Sequence, residues 1–71
     1  MSPSEYLDAL EAAGISRRLP LGELDRRAAA LLGIDIRTAR RYRRGERRVL
    51  APVQIALRAL ATNRGRKENL L

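Results

Sequence analysis

The stretch AAALLGIDIRTARRYRRGERR, residues 28–48, decides the fold of this 71-residue chain. It contains two helical patterns separated at Gly33. A glycine placed just after an apolar helical stretch ends a helix, because it adopts positive φ without a Cβ clash. Ile34 provides an apolar side chain in the turn, and Asp35 is a candidate N-cap for the second helix. The sequence therefore predicts a helix, a short turn and a second helix.

The second helix, predicted over residues 36–44 and ended by Gly45, has two chemically different faces. Ala39 and Tyr42 are three residues apart and form a small apolar face that can dock on the rest of the protein. The opposite face, built on spacings of three, four and seven residues, consists of Ile36, Arg37, Arg40, Arg41 and Arg44. This arrangement predicts a helix that is laid against an anion.

Positive charge is concentrated in the same region. Nine arginines in residues 25–48 stand against three acidic residues, which gives +6 of the total net charge of +7. A solvated helix face is the ordinary interpretation of such residues, but like charges three and four apart repel one another by a few tenths of a kcal/mol per pair. Asp35 and Glu46 flank the helix and are not expected to interleave with its arginines. We therefore favour an external anion, and arginine suits phosphate and guanine because its contacts are planar and bidentate.

The spacing of the small and apolar residues is also specific. A small Ala29 is followed after four residues by Gly33 and after six more by apolar Ala39. Further apolar residues lie at Ala28, Leu32, Ile34 and Tyr42. Together with the run LLGIDIRTARRYRRGERRV, this pattern resembles the helix-turn-helix of the lambda-repressor-like (Cro/repressor, xenobiotic-response-element) family, over about residues 4–62. A subgroup of that family reads approximately LLGVSxRTVRRWxxGxRxV; here Ala39 replaces a larger branched residue, Tyr42 replaces Trp, and the lead-in LPLGELDRR is longer.

The resemblance implies that the helix at residues 36–44 enters the major groove of double-stranded DNA. The base-contacting residues it implies are Ile36, Arg37, Arg40 and Arg41. The phosphate-contacting residues it implies are Arg27, Thr38, Arg44, Arg47 and Arg48. The motif spans about residues 25–44. The resemblance implies that its structural positions are Ala29, Gly33, Ala39 and Tyr42. The protein implied is a small bacterial or phage transcriptional regulator that acts as a homodimer, with the last helix and tail favoured as its dimer surface.

Helical signals continue on both sides of the motif. Ser2 and Glu5 form a capping box, Pro3 suits a first helical position, and Gly14 closes a helix whose apolar residues are Tyr6, Leu7, Leu10 and Ala13. Glu5, Asp8 and Glu11 on its outer face predict a solvated surface, or alternatively a contact for a basic partner.

Residues 15–22 read as a connector with Ile15, Leu19 and Leu21 turned into the core. A helix is expected from about residues 22–24 to Leu32, with Asp25, Arg26 and Arg27 pointing outward. Val49 and Leu50 are predicted core anchors. Pro52 opens a last helix to about Thr62, with Val53, Ala56, Leu57, Leu60 and Ala61 on one face. The expected fold is all-α, four to five short helices in one domain over residues 1–62, followed by a basic, flexible tail over residues 63–71.

Composition limits the function classes. The chain has no Cys and no His, so thiolate and imidazole chemistry are absent, and we expect no enzymatic activity, metal, cofactor or small-molecule substrate. No signal peptide or membrane span is indicated, so a cytoplasmic protein is expected, associated with the nucleoid when bound to DNA. Two alternatives to sequence-specific DNA binding stay open: an antitoxin-like or adaptor module for protein interaction, and a non-specific nucleic-acid binder. RNA binding is less favoured, since Tyr6 and Tyr42 are both placed for burial.

Overall fold

The computed structural model describes the backbone of residues 1–69 and the side chains of residues 1–63. Its four helices are α1 (Pro3–Ala12), α2 (Leu21–Leu32), α3 (Ile36–Arg44) and α4 (Ala51–Asn69). Residues 1–69 contain no strand. The predicted all-α fold of short helices is confirmed.

The predicted capping box starts α1. The Glu5 N–H donates to Ser2 Oγ at 3.2 Å, and the Ser2 N–H donates to Glu5 Oε1 at 3.1 Å. Both donors belong to the first helical turn, where backbone N–H groups have no partner within the helix. Pro3 occupies the first helical position, at which its missing N–H removes no helical hydrogen bond.

Gly33 ends α2 as predicted, with φ of +65°. The Ile34 N–H donates back to the Ala29 carbonyl at 3.0 Å, which closes a Schellman motif and turns the chain sharply. Only three residues, 33–35, separate α2 from α3. Asp35 has the extended backbone of an N-cap, but its side chain makes no capping hydrogen bond.

Gly45 ends α3 in the same way, with φ of +75° and a 2.9 Å hydrogen bond from the Glu46 N–H to the Arg41 carbonyl. A Cβ at Gly45 would lie 2.8 Å from Cγ of Pro3. The end of α3 therefore rests directly against the start of α1, and glycine is required there for space as well as for conformation.

The core lies where α1 and α2 each pack against both α3 and α4. The Tyr6 and Tyr42 rings meet edge to face at its centre, with centroids 5.8 Å apart and an interplanar angle of 65°. Small Ala29 and Ala39 are buried, which lets helix backbones approach closely. The buried apolar residues are Tyr6, Leu10, Ile15, Leu24, Ala28, Ala29, Ala39, Tyr42, Val49 and Leu57.

Two predictions for the second helix are wrong. Asp25, expected to point outward with Arg26 and Arg27, is only 2% exposed. Leu21, expected in the core, is 57% exposed, because α2 already begins at this residue and turns its side chain to solvent. Asp25 lies three and four residues before the buried Ala28 and Ala29, which places it on the inward face of α2.

The last helix also differs from its prediction. Val49 is buried as expected, but Leu50 is 49% exposed because α4 begins directly after it and directs it away from the core. Leu57 is buried, whereas Ala56 is exposed. The helix continues beyond Thr62, where the apolar pattern ends, to Asn69. The predicted tail flexibility stays a prediction, and Leu70 and Leu71 lie outside the described residues.

The buried phenol of Tyr6 makes stability depend on alkaline pH. Burial raises the pKa of Tyr6 to about 12, with the Asp25 carboxylate and Tyr42 adding to the shift and Arg43 opposing it. The folded state therefore keeps a proton that the unfolded state, with a tyrosine pKa of about 10, releases. The free energy of unfolding should fall as pH rises from 10 through 12. Urea unfolding followed by circular dichroism should show this fall in the wild type and a smaller one in Tyr6→Phe. An equal alkaline loss in both proteins would contradict the assignment.

Candidate nucleic-acid interface

α3 divides its side chains between the core and the solvent as its sequence predicts. Ala39 and Tyr42 are buried against α1 and α2. The predicted outward residues Arg37, Arg40, Arg41 and Arg44 are all exposed, and Ile36, at the start of the helix, is 37% exposed. The structure thus brings three of the four side chains assigned to base contact, Arg37, Arg40 and Arg41, onto one surface.

A shallow depression lies on this surface, with a volume of about 300 Å³. Its lining consists of Arg37, Arg40, Arg41, Arg44 and Glu46. Four guanidinium groups against one carboxylate give the lining a formal charge of +3. A concave surface with a net positive charge concentrates its field on anions, so the electrostatics of this depression favour an anionic ligand.

Next to Arg40 lies an ion pair that the sequence did not predict. Arg43 Nε donates to Asp25 Oδ1 at 2.8 Å, and Arg43 Nη2 donates to Asp25 Oδ2 at 3.0 Å. The hydrogen bond to Asp25 raises the pKa of Arg43 above its ordinary value. This bidentate pair joins α2 to α3. The sequence contains one local indication that Asp25 is buried, which is that Asp25 shares the helical face of Ala28 and Ala29. Nothing near Asp25 in sequence identifies Arg43 as its partner.

The expectation that no carboxylate compensates the arginine face is wrong in two places. Arg40 Nε lies 3.9 Å from Asp25 Oδ2, and Arg44 Nε lies 3.3 Å from Glu46 Oε1. Neither carboxylate belongs to α3, because Asp25 lies in α2 and Glu46 lies in the turn after α3. No ion pair within the described residues involves Arg37 or Arg41.

Of the predicted phosphate-contacting residues, Arg44 belongs to the lining of the depression and the other four do not. Arg47 and Arg48 are exposed two and three residues after Gly45, beyond the C-terminal end of α3, and Thr38 is half-buried. Arg27 is exposed on α2, but its Nε donates to Glu23 Oε1 at 3.0 Å, a hydrogen bond that lowers the pKa of Glu23. Exposed pairs of this kind are weak, so Arg27 can exchange Glu23 for another anion.

The acidic face of α1 has a cation supplied by the chain itself. Arg17, in the connector between α1 and α2, pairs with Asp8 and with Glu11, its Nε lying 2.9 Å from Glu11 Oε2. Two of the three acidic residues on this face therefore share one cation, which reduces the charge of the face from −3 to −2 and favours the solvated-surface interpretation over an unfilled contact for a basic partner.

The part of the chain that the structure describes contains no group of three or more His, Cys, Asp or Glu side chains arranged to hold a metal ion. None of its helices combines the length and apolar character needed to cross a membrane.

The fold and this surface define a small all-α domain that presents an arginine-lined helix face to solvent. Comparison with known proteins finds no matching family model, curated protein or solved structure.

The Asp25–Arg43 pair should be costly to break from one side. Arg43→Met should lower the free energy of unfolding by about 3–5 kcal/mol, because it leaves the Asp25 carboxylate buried without its bidentate partner. Thermal and urea unfolding measure this change. Arg41→Met is the matched control on the exposed face and should change stability by less than about 0.5 kcal/mol. Similar losses in the two variants would show that the buried pair has no special structural role.

Proposed function

We propose that this protein binds double-stranded DNA by inserting α3 into the major groove, and that it acts as a small transcriptional regulator. The observation that carries the proposal is the arginine-lined face of α3, exposed above a buried face that fixes its orientation. B-DNA's major groove is about 12 Å wide and admits one α-helix. The three-residue connection of α2 to α3 supports the same proposal, since helix-turn-helix proteins present their second helix in this way.

The proposed contacts follow from position along α3. Residues near its N-terminal end and on its outer face would read base edges, with arginine suited to guanine O6 and N7 and Ile36 to a thymine methyl. These are Ile36, Arg37, Arg40 and Arg41. A second set of side chains would hold phosphates, which positions the protein without reading sequence. These are Arg27, Thr38, Arg44, Arg47 and Arg48.

Burial of both tyrosines favours duplex DNA over single-stranded RNA. Tyr6 and Tyr42 are the only aromatic residues of the chain, and both lie in the core. Readout of single-stranded RNA depends largely on bases stacked on exposed aromatic rings. Charge and shape, in contrast, are sufficient for a helix in the major groove.

We also propose that the regulator is a homodimer, in which α4 contacts a second copy. Ile55, on the outer surface of α4, is 66% exposed, and nearby Leu50 is 49% exposed. Two copies bound to half-sites about 34 Å apart would supply more specificity than one nine-residue helix can. The proposed location is the cytoplasm, on the nucleoid when DNA is bound.

Replacement of Arg37 by alanine should reduce sequence discrimination. Arg37→Ala should weaken binding to a preferred duplex by about 1–3 kcal/mol and leave binding to random duplex nearly unchanged. Arg47→Ala is the matched control, since it should weaken all duplexes similarly and reduce the slope of log K against log salt by about one. Fluorescence-anisotropy titrations at several salt concentrations measure both.

The preferred duplex is obtained by selection from a randomised duplex pool, followed by sequencing of the retained fraction. An enriched palindrome with steep salt dependence supports a dimeric, sequence-specific regulator. Salt-sensitive binding without enrichment would indicate a non-specific binder instead. Absence of binding at low salt would reject DNA as the ligand and favour a protein partner.

The dimer proposal has its own test. Ile55→Asp should weaken self-association at least about tenfold, because it places a charge in the apolar centre of the proposed contact. Sedimentation velocity across a concentration series should show wild-type species approaching twice the 8.0 kDa chain mass, and the variant nearer one chain mass. Thr62→Asp, an exposed change in the same helix, is the control. A monomeric wild type at all concentrations would reject the dimer.

A further inference from the structure

The Asp25 carboxylate is shared between two arginines of α3. Its Oδ1 accepts Arg43 Nε at 2.8 Å, while its Oδ2 accepts Arg43 Nη2 at 3.0 Å and lies 3.9 Å from Arg40 Nε. The Asp25 side chain is only 2% exposed. One buried carboxylate on α2 therefore faces two cations, three residues apart, on α3.

The two arginines differ in what they have left to offer a ligand. Arg43 uses its Nε and Nη2 in a bidentate pair, and its side chain is 16% exposed. Arg40 is 51% exposed and faces the carboxylate through Nε. The terminal edge of Arg40, with the donors of Nη1 and Nη2, is not used by this contact. That edge has the fork geometry that matches guanine O6 and N7.

The remaining arginines of the depression have no comparable anchor. Arg44 pairs with Glu46, which is itself half exposed and therefore able to move. Arg37 and Arg41 make no ion pair with any described residue. Within the described structure, Arg40 alone among the four lies within ion-pair distance of a carboxylate that packing fixes in the core, at 3.9 Å, which is longer than a hydrogen bond.

From this geometry we infer that Asp25 is a positioning residue for base readout, which fixes Arg40 so that its terminal edge contacts a guanine. This inference rests on the proposed DNA-binding function and names one residue that determines its specificity. An arginine already held in the bound orientation loses less side-chain freedom on binding, so more of the contact energy appears as discrimination. A mobile arginine can instead adapt to several bases or to phosphate.

The test is a double-mutant cycle on sequence discrimination, defined as the ratio of the Kd for a shuffled duplex to the Kd for the selected duplex. Both duplexes are about 20 base pairs long, two helical turns. Arg40→Lys keeps the charge but loses the fork and should reduce discrimination about tenfold. Asp25→Asn should cause a similar reduction in the wild-type background and no further reduction in the Arg40→Lys background.

Arg37→Lys is the matched control for the coupling. Asp25→Asn should reduce discrimination by the same factor in the Arg37→Lys protein as in the wild type, because Arg37 makes no contact with Asp25. A purely structural effect of Asp25→Asn would lower affinity equally in every background, so it would not produce coupling that is confined to Arg40.

A second measurement applies even where Asp25→Asn fails to fold, which circular dichroism would show. Nitrogen-15 relaxation of arginine Nε–H groups in the free wild-type protein should give Arg40 a higher order parameter than Arg37 and Arg41. Equal order in the three arginines would overturn the inference.

The other outcomes separate the inference from the function on which it rests. Retained discrimination in Arg40→Lys, or additive effects of Asp25→Asn and Arg40→Lys, would overturn the inference and leave DNA binding intact. A wild type that binds no duplex, or binds without preference, would reject specific readout and the inference with it.

Discussion

The bidentate ion pair between Asp25 and Arg43 is the interaction on which the exposed surface depends. α3 has only nine residues, too few for an isolated helix to be stable, and its buried residues are Ala39 and Tyr42. The methyl group of Ala39 and the ring of Tyr42 set which side of α3 faces the core. A buried ion pair adds little net stability compared with apolar side chains of similar size. However, any rotation of α3 that moved Arg43 away from Asp25 would leave the Asp25 carboxylate unpaired in an apolar core, which is costly. The pair therefore specifies orientation.

That orientation decides which charges are free. Of the five arginines in α3, one is directed inward by Asp25, and the other four reach the surface together. The ion pairs around the surface, such as Arg44 with Glu46 and Arg27 with Glu23, are exposed and weak. Their side chains stay solvated, so each arginine can exchange its carboxylate for another anion at little energetic cost. The domain thus combines one fixed ion pair inside with several exchangeable pairs outside.

Helix boundaries near the candidate site were predictable because they depend on local chemistry. The Ser2–Glu5 capping box and the left-handed glycines at Gly33 and Gly45 involve residues within about five positions of one another. The burial of Tyr42 and the exposure of the outer arginines followed from helical spacing, since a short amphipathic helix has one available way to face a core. The contacts of those arginines with DNA stay a prediction.

The sequence by itself therefore determined the all-α class, the limits of α3 and the composition of its two faces, because capping, glycine conformation and helical periodicity act over a few residues. Only the tertiary structure decided that Asp25 is buried, that Arg43 turns inward and that Leu21 and Leu50 face solvent. A carboxylate is stable in a core only beside a cation. Here that cation is Arg43, which is 18 residues away in sequence and comes next to Asp25 only when the chain folds.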